Sequence, residues 1–107
     1  MQKDLEIEAM RESADSIVNV LKSLANTDRL IILCHLAKQE LNVSQIEVLT
    51  HIFQPTLSQQ LMMLRKSKVV TTRREGKQIF YSISDPKLQV VLKTLYENYC
   101  QIYKPFA

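Results

Sequence analysis

A single glycine, Gly76, and three prolines, Pro55, Pro86 and Pro105, are the only strong helix breakers in 107 positions. Glycine and proline weaken a helix interior by about 1 and 3 kcal/mol relative to alanine, so their scarcity leaves room for long helices and few tight turns. With 46% hydrophobic residues, a chain of this length can bury one core and is too short for two. Residues 1–107 are therefore expected to form one mainly α-helical domain, with its one sharp turn at Gly76.

Apolar periodicity places the elements. From about Leu5 to Leu24, the residues Met10, Ala14, Ile17, Val18, Leu21 and Leu24 follow helical spacing, and acids crowd the start, where a helix dipole favours them. Asn26, Thr27 and Asp28 break and cap a second helix, whose Leu30, Ile31, Leu33, Cys34, Leu36 and Ala37 are almost continuously apolar. A helix apolar on most sides belongs at the centre of a fold. After the polar stretch Lys38 to Asn42, Ser44 is the expected cap of a short third helix carrying Ile46, Val48 and Leu49. His51, Ile52 and Phe53 turn the chain, and Pro55 at the first helical position opens a fourth helix running to about Lys66. Two short helices joined in this way make a helix-turn-helix.

A β-hairpin follows. Val69 to Arg74 is β-branched and then basic, Glu75-Gly76-Lys77 is the turn, with Gly76 able to take a positive φ, and Gln78 to Ile83 has strand character. Asp85-Pro86 reads as a cap and first-turn proline for a last helix with Leu88, Val91, Leu92, Leu95, Tyr99 and Ile102 on one face. The order of helix, helix, helix-turn-helix, hairpin and helix is a mainly α winged helix-turn-helix with a β-hairpin wing. There are no internal repeats.

Charge is distributed unevenly along this framework. Between Arg65 and Lys77 six cations, Arg65, Lys66, Lys68, Arg73, Arg74 and Lys77, face one anion, Glu75, whereas the rest of the chain has eight cations and ten anions. No acidic residue occurs in the 27 positions between Glu47 and Glu75. Such a one-signed segment suits an anionic partner. On the fourth helix Leu57, Leu61 and Leu64 point inward, leaving Gln54, Thr56, Ser58, Gln59 and Gln60 outside. Uncharged hydrogen-bonding side chains match base edges in the major groove, while the six cations serve phosphates. The expected partner is double-stranded DNA.

The N-terminus carries Asp4, Glu6, Glu8 and Glu12 instead of a cationic leader, and no uncharged run approaches the roughly 20 apolar residues of a membrane span. A cytoplasmic protein without a membrane partner is expected. There, two cysteines separated by 65 residues, Cys34 and Cys100, are poorly explained as a structural disulfide. From the residues alone they are inert core, members of a metal site with His35, or reactive thiols.

The segments Leu21 to Leu33, Pro55 to Arg65 and Gly76 to Tyr81 resemble the ArsR/SmtB repressors over nearly the whole chain. The resemblance implies a homodimer built on the first and last helices, with recognition helices in successive major grooves of an inverted-repeat operator, half-sites about 34 Å apart. It also implies release from DNA by an inducer. The metal ligands of the family do not carry over. Asn42 and Ser44 stand where thiolate-binding members have cysteines, and Asp85, Lys87, Asn98 and Gln101 where zinc sensors have Asp, His, His and Glu. No metal and no cofactor are expected. Cys34 and Cys100 instead match the cysteine pair of the sulfide-responsive branch typified by BigR, SqrR and HlyU, which implies redox sensing of reactive sulfur species. Cys100 stands beside Tyr99 and near Tyr103.

Two other classes remain to be weighed. A thiol enzyme lacks a Cys-x-x-Cys motif and a glycine-rich cofactor loop, so no enzymatic activity is expected. An architectural DNA binder without a sensing function would use the same polar helix and basic hairpin and leave the cysteines idle.

Overall fold

Twelve residues, Thr27–Lys38, form the helix against which the four other helices and one strand pack. In the computed structural model, which describes residues 1–100, the order is α1 (Gln2–Leu24), α2 (Thr27–Lys38), β1 (Leu41–Asn42), α3 (Val43–Thr50), α4 (Thr56–Lys66), β2 (Val70–Glu75), β3 (Gln78–Ile83) and α5 (Pro86–Tyr99). The Asn26 side chain caps α2 by accepting from the Arg29 backbone N–H at 3.1 Å. Ile32, Leu33, Cys34 and Leu36 are buried, because α2 touches α1, α3, α4, α5 and β3. The central helix expected from its apolar surface is thus central.

The third helix begins differently from expectation. Asn42, not Ser44, is the cap: its side chain accepts from the Gln45 backbone N–H at 2.9 Å, while Gln45 Oε1 accepts from the Asn42 backbone N–H at 2.9 Å. The reason lies in β1. Leu41 and Asn42 are extended and pair with Tyr81 and Phe80, completing a three-stranded antiparallel sheet of order β1-β3-β2. Asn42 is the last extended residue, which is where a cap belongs. His51 closes α3 in the left-handed region, at φ 56°.

Leu57, Leu61 and Leu64 bury one face of α4 as their spacing predicts, although the helix starts at Thr56 and Pro55 takes the cap position. The hairpin forms where expected, with its first strand displaced by one residue so that Glu75 belongs to β2 and not to the turn. Glu75 pairs with Gln78, leaving Gly76-Lys77 as a two-residue turn with Gly76 at φ 63°. At the start of α5 the Asp85 carboxylate accepts from the Lys87 backbone N–H at 2.9 Å, with Pro86 in the first turn.

The two terminal helices carry more apolar surface than the core receives. On α5, Leu88 and Leu92 are buried and Leu95 half-buried, but Val91 is exposed and Tyr99 is 81% exposed. Ile102 lies outside the described residues. On α1 only Leu24 is buried, and Met10, Ile17, Val18 and Leu21 are exposed. Between the helices lies an open, mostly apolar groove of about 450 Å³, lined by Ile17, Leu21, Leu24, Leu88 and Val91 among others. Among the described residues, no helix is long and apolar enough to cross a membrane.

Candidate functional site

With its leucines committed to the core, α4 presents its polar residues outward. Gln54, Ser58 and Gln59 are exposed, and Thr56 and Gln60 half-buried. Their hydrogen-bonding capacity is not equally available. Gln54 Oε1 accepts from the Ser58 backbone N–H at 3.0 Å and from the Ser58 hydroxyl at 2.6 Å, so this pair serves the first turn of α4. Gln60 Oε1 accepts from Arg29 Nη1 at 3.3 Å. Among the described residues, nothing in the chain engages the side chain of Gln59.

The cations form a continuation of this surface. Arg65 and Lys66 occupy the last turn of α4, Lys68 the turn into β2 at φ 63°, and Arg74 and Lys77 the hairpin, all exposed. Arg65, Arg73 and Arg74 line one cleft of about 260 Å³ between α4 and the hairpin. The fold therefore brings the end of the polar helix and the basic wing together.

Arg73 is in a different state from its neighbours. Its Nε and Nη2 reach Glu40 Oε1 at 2.8 and 2.7 Å, its Nη1 reaches Glu75 Oε2 at 2.8 Å, and its guanidinium lies 4.6 Å from the centre of the Phe80 ring. The hydrogen bonds to Glu40 and Glu75 hold its pKa above even the usual arginine range. Two carboxylates already compensate this charge, so the field offered by the wing comes from Arg74 and Lys77. Glu40 lies 33 positions earlier, and nothing in the sequence pattern links the two.

The two cysteines converge from different helices. Cys34 is buried in α2, Cys100 is half-buried immediately after α5, and neither is in a disulfide. Burial pushes the Cys34 thiol up to about 12, an effect partly offset by a hydrogen bond from Tyr96 and reinforced by the nearby charge of Cys100. At neutral pH Cys34 is therefore a thiol and a poor nucleophile. Tyr96 was not foreseen from the sequence. Its only signal is spacing, since it stands one helical turn before Cys100.

His35 donates its Nδ1–H to the Ile31 carbonyl at 2.9 Å, one turn back along α2. Asn42 and Asp85 serve as helix caps. Among the described residues, no three His, Cys, Asp or Glu side chains are grouped to hold an ion. Gln101 and Tyr103 lie outside the described residues.

A helix-turn-helix with a basic two-stranded wing and a polar second helix defines a winged helix-turn-helix regulator. The model of the bacterial regulatory protein arsR family matches residues 26–72. The chain is 41% identical over 97 residues to the biofilm growth-associated repressor of Agrobacterium fabrum, covering 91% of this chain and 83% of that protein. It is 34% identical over 97 residues to the transcriptional activator HlyU of Vibrio cholerae, covering 91% and 90%. The crystal structure of the transcriptional repressor BigR from Xylella fastidiosa superposes with a TM-score of 0.80 at 41% identity, over 88% of this chain and 96% of that one. The chain belongs to the ArsR family of bacterial regulatory proteins, in its BigR- and HlyU-like branch. Its fold and relatives are those of transcriptional regulators, not enzymes.

Proposed function

We propose that residues 1–107 act as one unit, a cytoplasmic homodimeric repressor that binds an inverted-repeat operator when its thiols are reduced and releases it when Cys34 and Cys100 are bridged by reactive sulfur. The observation that carries this reading is the convergence of Cys34 and Cys100 at the α2–α5 contact, with Tyr96 bonded to Cys34. Dimerisation through α1 and α5 is supported by the apolar residues that both helices leave exposed. In the complex, Thr56, Ser58, Gln59 and Gln60 meet base edges, with Gln54 holding the first turn of α4. Arg65, Lys66, Lys68, Arg74 and Lys77 meet phosphates, and Arg73 steadies the wing.

The chemistry starts at Cys100. Its thiolate attacks the terminal sulfur of a small persulfide RSSH, forming Cys100–S–SH and expelling RS⁻. Cys34 is persulfidated in turn, and the two persulfides condense to Cys34–S–S–S–Cys100 with loss of hydrogen sulfide. The persulfides supply the oxidising equivalents. Because α2 touches both α4 and α5, a bridge between α2 and the end of α5 alters the setting of the DNA-reading helix. A coupling of about 1–3 kcal/mol, roughly 5- to 150-fold in affinity, suffices for regulation.

Fluorescence anisotropy with operator DNA tests this. Reduced protein is expected to bind and to lose binding after glutathione persulfide, with mass spectrometry showing added sulfur between Cys34 and Cys100, while Cys34→Ser and Cys100→Ser bind and do not respond. Release by zinc alone, or equal release of the serine variants, overturns the sensing mechanism.

A further inference from the structure

The guanidinium of Arg29, in the first turn of α2, joins three helices. Its Nε donates to the Ser23 carbonyl at 2.8 Å and its Nη2 to the Lys22 carbonyl at 3.4 Å, both in the last turn of α1. Its Nη1 donates to Gln60 Oε1 on α4 at 3.3 Å. Carbonyls at a helix C-terminus lack intrahelical partners and lie at the negative end of the dipole, so a cation there is held firmly in place.

A guanidinium has five donors and no acceptor. The Gln60 amide can therefore meet Arg29 only through its oxygen, which leaves the amide nitrogen for whatever docks on α4. A glutamine that reads adenine turns both its oxygen and its nitrogen to the base, accepting from N6 and donating to N7. The oxygen keeps a second lone pair, but holding it on Arg29 orients the amide toward α2 and works against that bidentate pairing. The geometry points to Arg29 as a positioning residue that presents Gln60 to DNA as a hydrogen-bond donor. The group that Gln60 meets is then an acceptor, either a base edge or a phosphate oxygen; among the bases guanine is favoured, because its N7 and O6 both accept, whereas adenine and thymine each offer one major-groove acceptor. This rests on α4 entering the DNA groove.

The test is selection of half-sites from a randomised duplex pool by the wild type, Gln60→Glu, Gln60→Met and Arg29→Gln, with affinities measured for the selected sites and folding checked by thermal melting. If the acceptor is a base, the wild type enriches guanine at one position per half-site and Gln60→Met loses that enrichment. Gln60→Glu, which keeps one oxygen on Arg29 and turns the other to the DNA, switches it to cytosine. Arg29→Gln releases Gln60 and admits adenine. If the acceptor is a phosphate, no position changes and Gln60→Glu weakens every site by about tenfold through charge repulsion. Enrichment of adenine by the wild type at the position lost in Gln60→Met, with binding weakened when that adenine is replaced by purine lacking the N6 amino group, overturns the inference, as does wild-type selection and affinity in both Gln60 variants. Should Arg29→Gln fail to fold, the two Gln60 variants still decide. Failure of the wild type to prefer any duplex over random DNA refutes the DNA interface itself and is recognisable as such.

Discussion

The hydroxyl of Tyr96, on α5, hydrogen-bonds the sulfur of Cys34, on α2. Tyr96 also stands one turn before Cys100, and its carbonyl accepts from the Cys100 backbone N–H at 3.0 Å. One residue thus touches both members of the thiol pair, and the C-terminal end of α5 is registered against the most buried part of α2.

The thiols are expected to differ in reactivity. Cys34 is fully buried and raised to about 12, whereas Cys100 is half-buried. Since the thiolate is the reactive form, iodoacetamide near neutral pH should label Cys100 at least tenfold faster, on the order expected for a buried thiol raised well above ambient pH. Peptide mass spectrometry of the partly labelled protein checks this, and preferential labelling of Cys34 would refute the order of steps proposed above.

Stability should fall in alkali because of Cys34. Its folded-state value, about 12, lies above the ordinary 9.0. Below pH 9 both folded and unfolded chains keep the proton and stability is intact. As pH rises from 9 towards 12 the unfolded chain ionises while the folded chain does not, removing up to about 4 kcal/mol. Urea unfolding at pH 8 and pH 10 should show the first part of this fall, about 1.4 kcal/mol, in the wild type and a smaller one in Cys34→Ala.

Removing the cap of α3 separates the two candidates for that role. Asn42→Ala deletes both the bond to Gln45 and a 3.3 Å bond from Asn42 Nδ2 to Gln78 on β3, and is expected to cost about 1 kcal/mol or more. Ser44→Ala is expected to stay within about 0.5 kcal/mol of the wild type, as exposed sites usually do. Denaturant midpoints measure both, and equal losses would restore Ser44 as the cap.

The wing arginines are not equivalent. Arg74→Ala should lower the slope of log affinity against log salt by about 0.9, the value for one phosphate contact. Arg73→Ala should lower it less, because Glu40 and Glu75 already hold that charge. Operator titrations at several salt concentrations give the two slopes directly.

Leu21→Glu, on the exposed side of α1, is expected to abolish self-association and leave the fold standing, since Leu21 is 53% exposed and a surface substitution costs little in the isolated chain. Sedimentation should show a folded monomer in place of a dimer. An unchanged dimer would move the interface elsewhere.

Much of this was legible in one dimension. The leucine period of α4, the Gly76 turn, the Asp85-Pro86 start of α5 and the central place of α2 follow from spacing, conformational preference and apolar content, which are properties of neighbouring residues. Asn42 shows where that stops. Its role depends on pairing with Phe80 in a strand of two residues, too short to leave a pattern.

The side-chain partners belong to the same second class. Glu40 meeting Arg73, Arg29 meeting Gln60 and Tyr96 meeting Cys34 bring together residues 33, 31 and 62 positions apart. The sequence by itself determined which residues are apolar, basic or nucleophilic, and hence the elements, the cationic segment and the pair of thiols. Which cation is already neutralised, which glutamine has its oxygen engaged and which thiol keeps its proton were decided by tertiary structure, because each depends on burial and on distances that exist only after α2 has gathered the other helices around it.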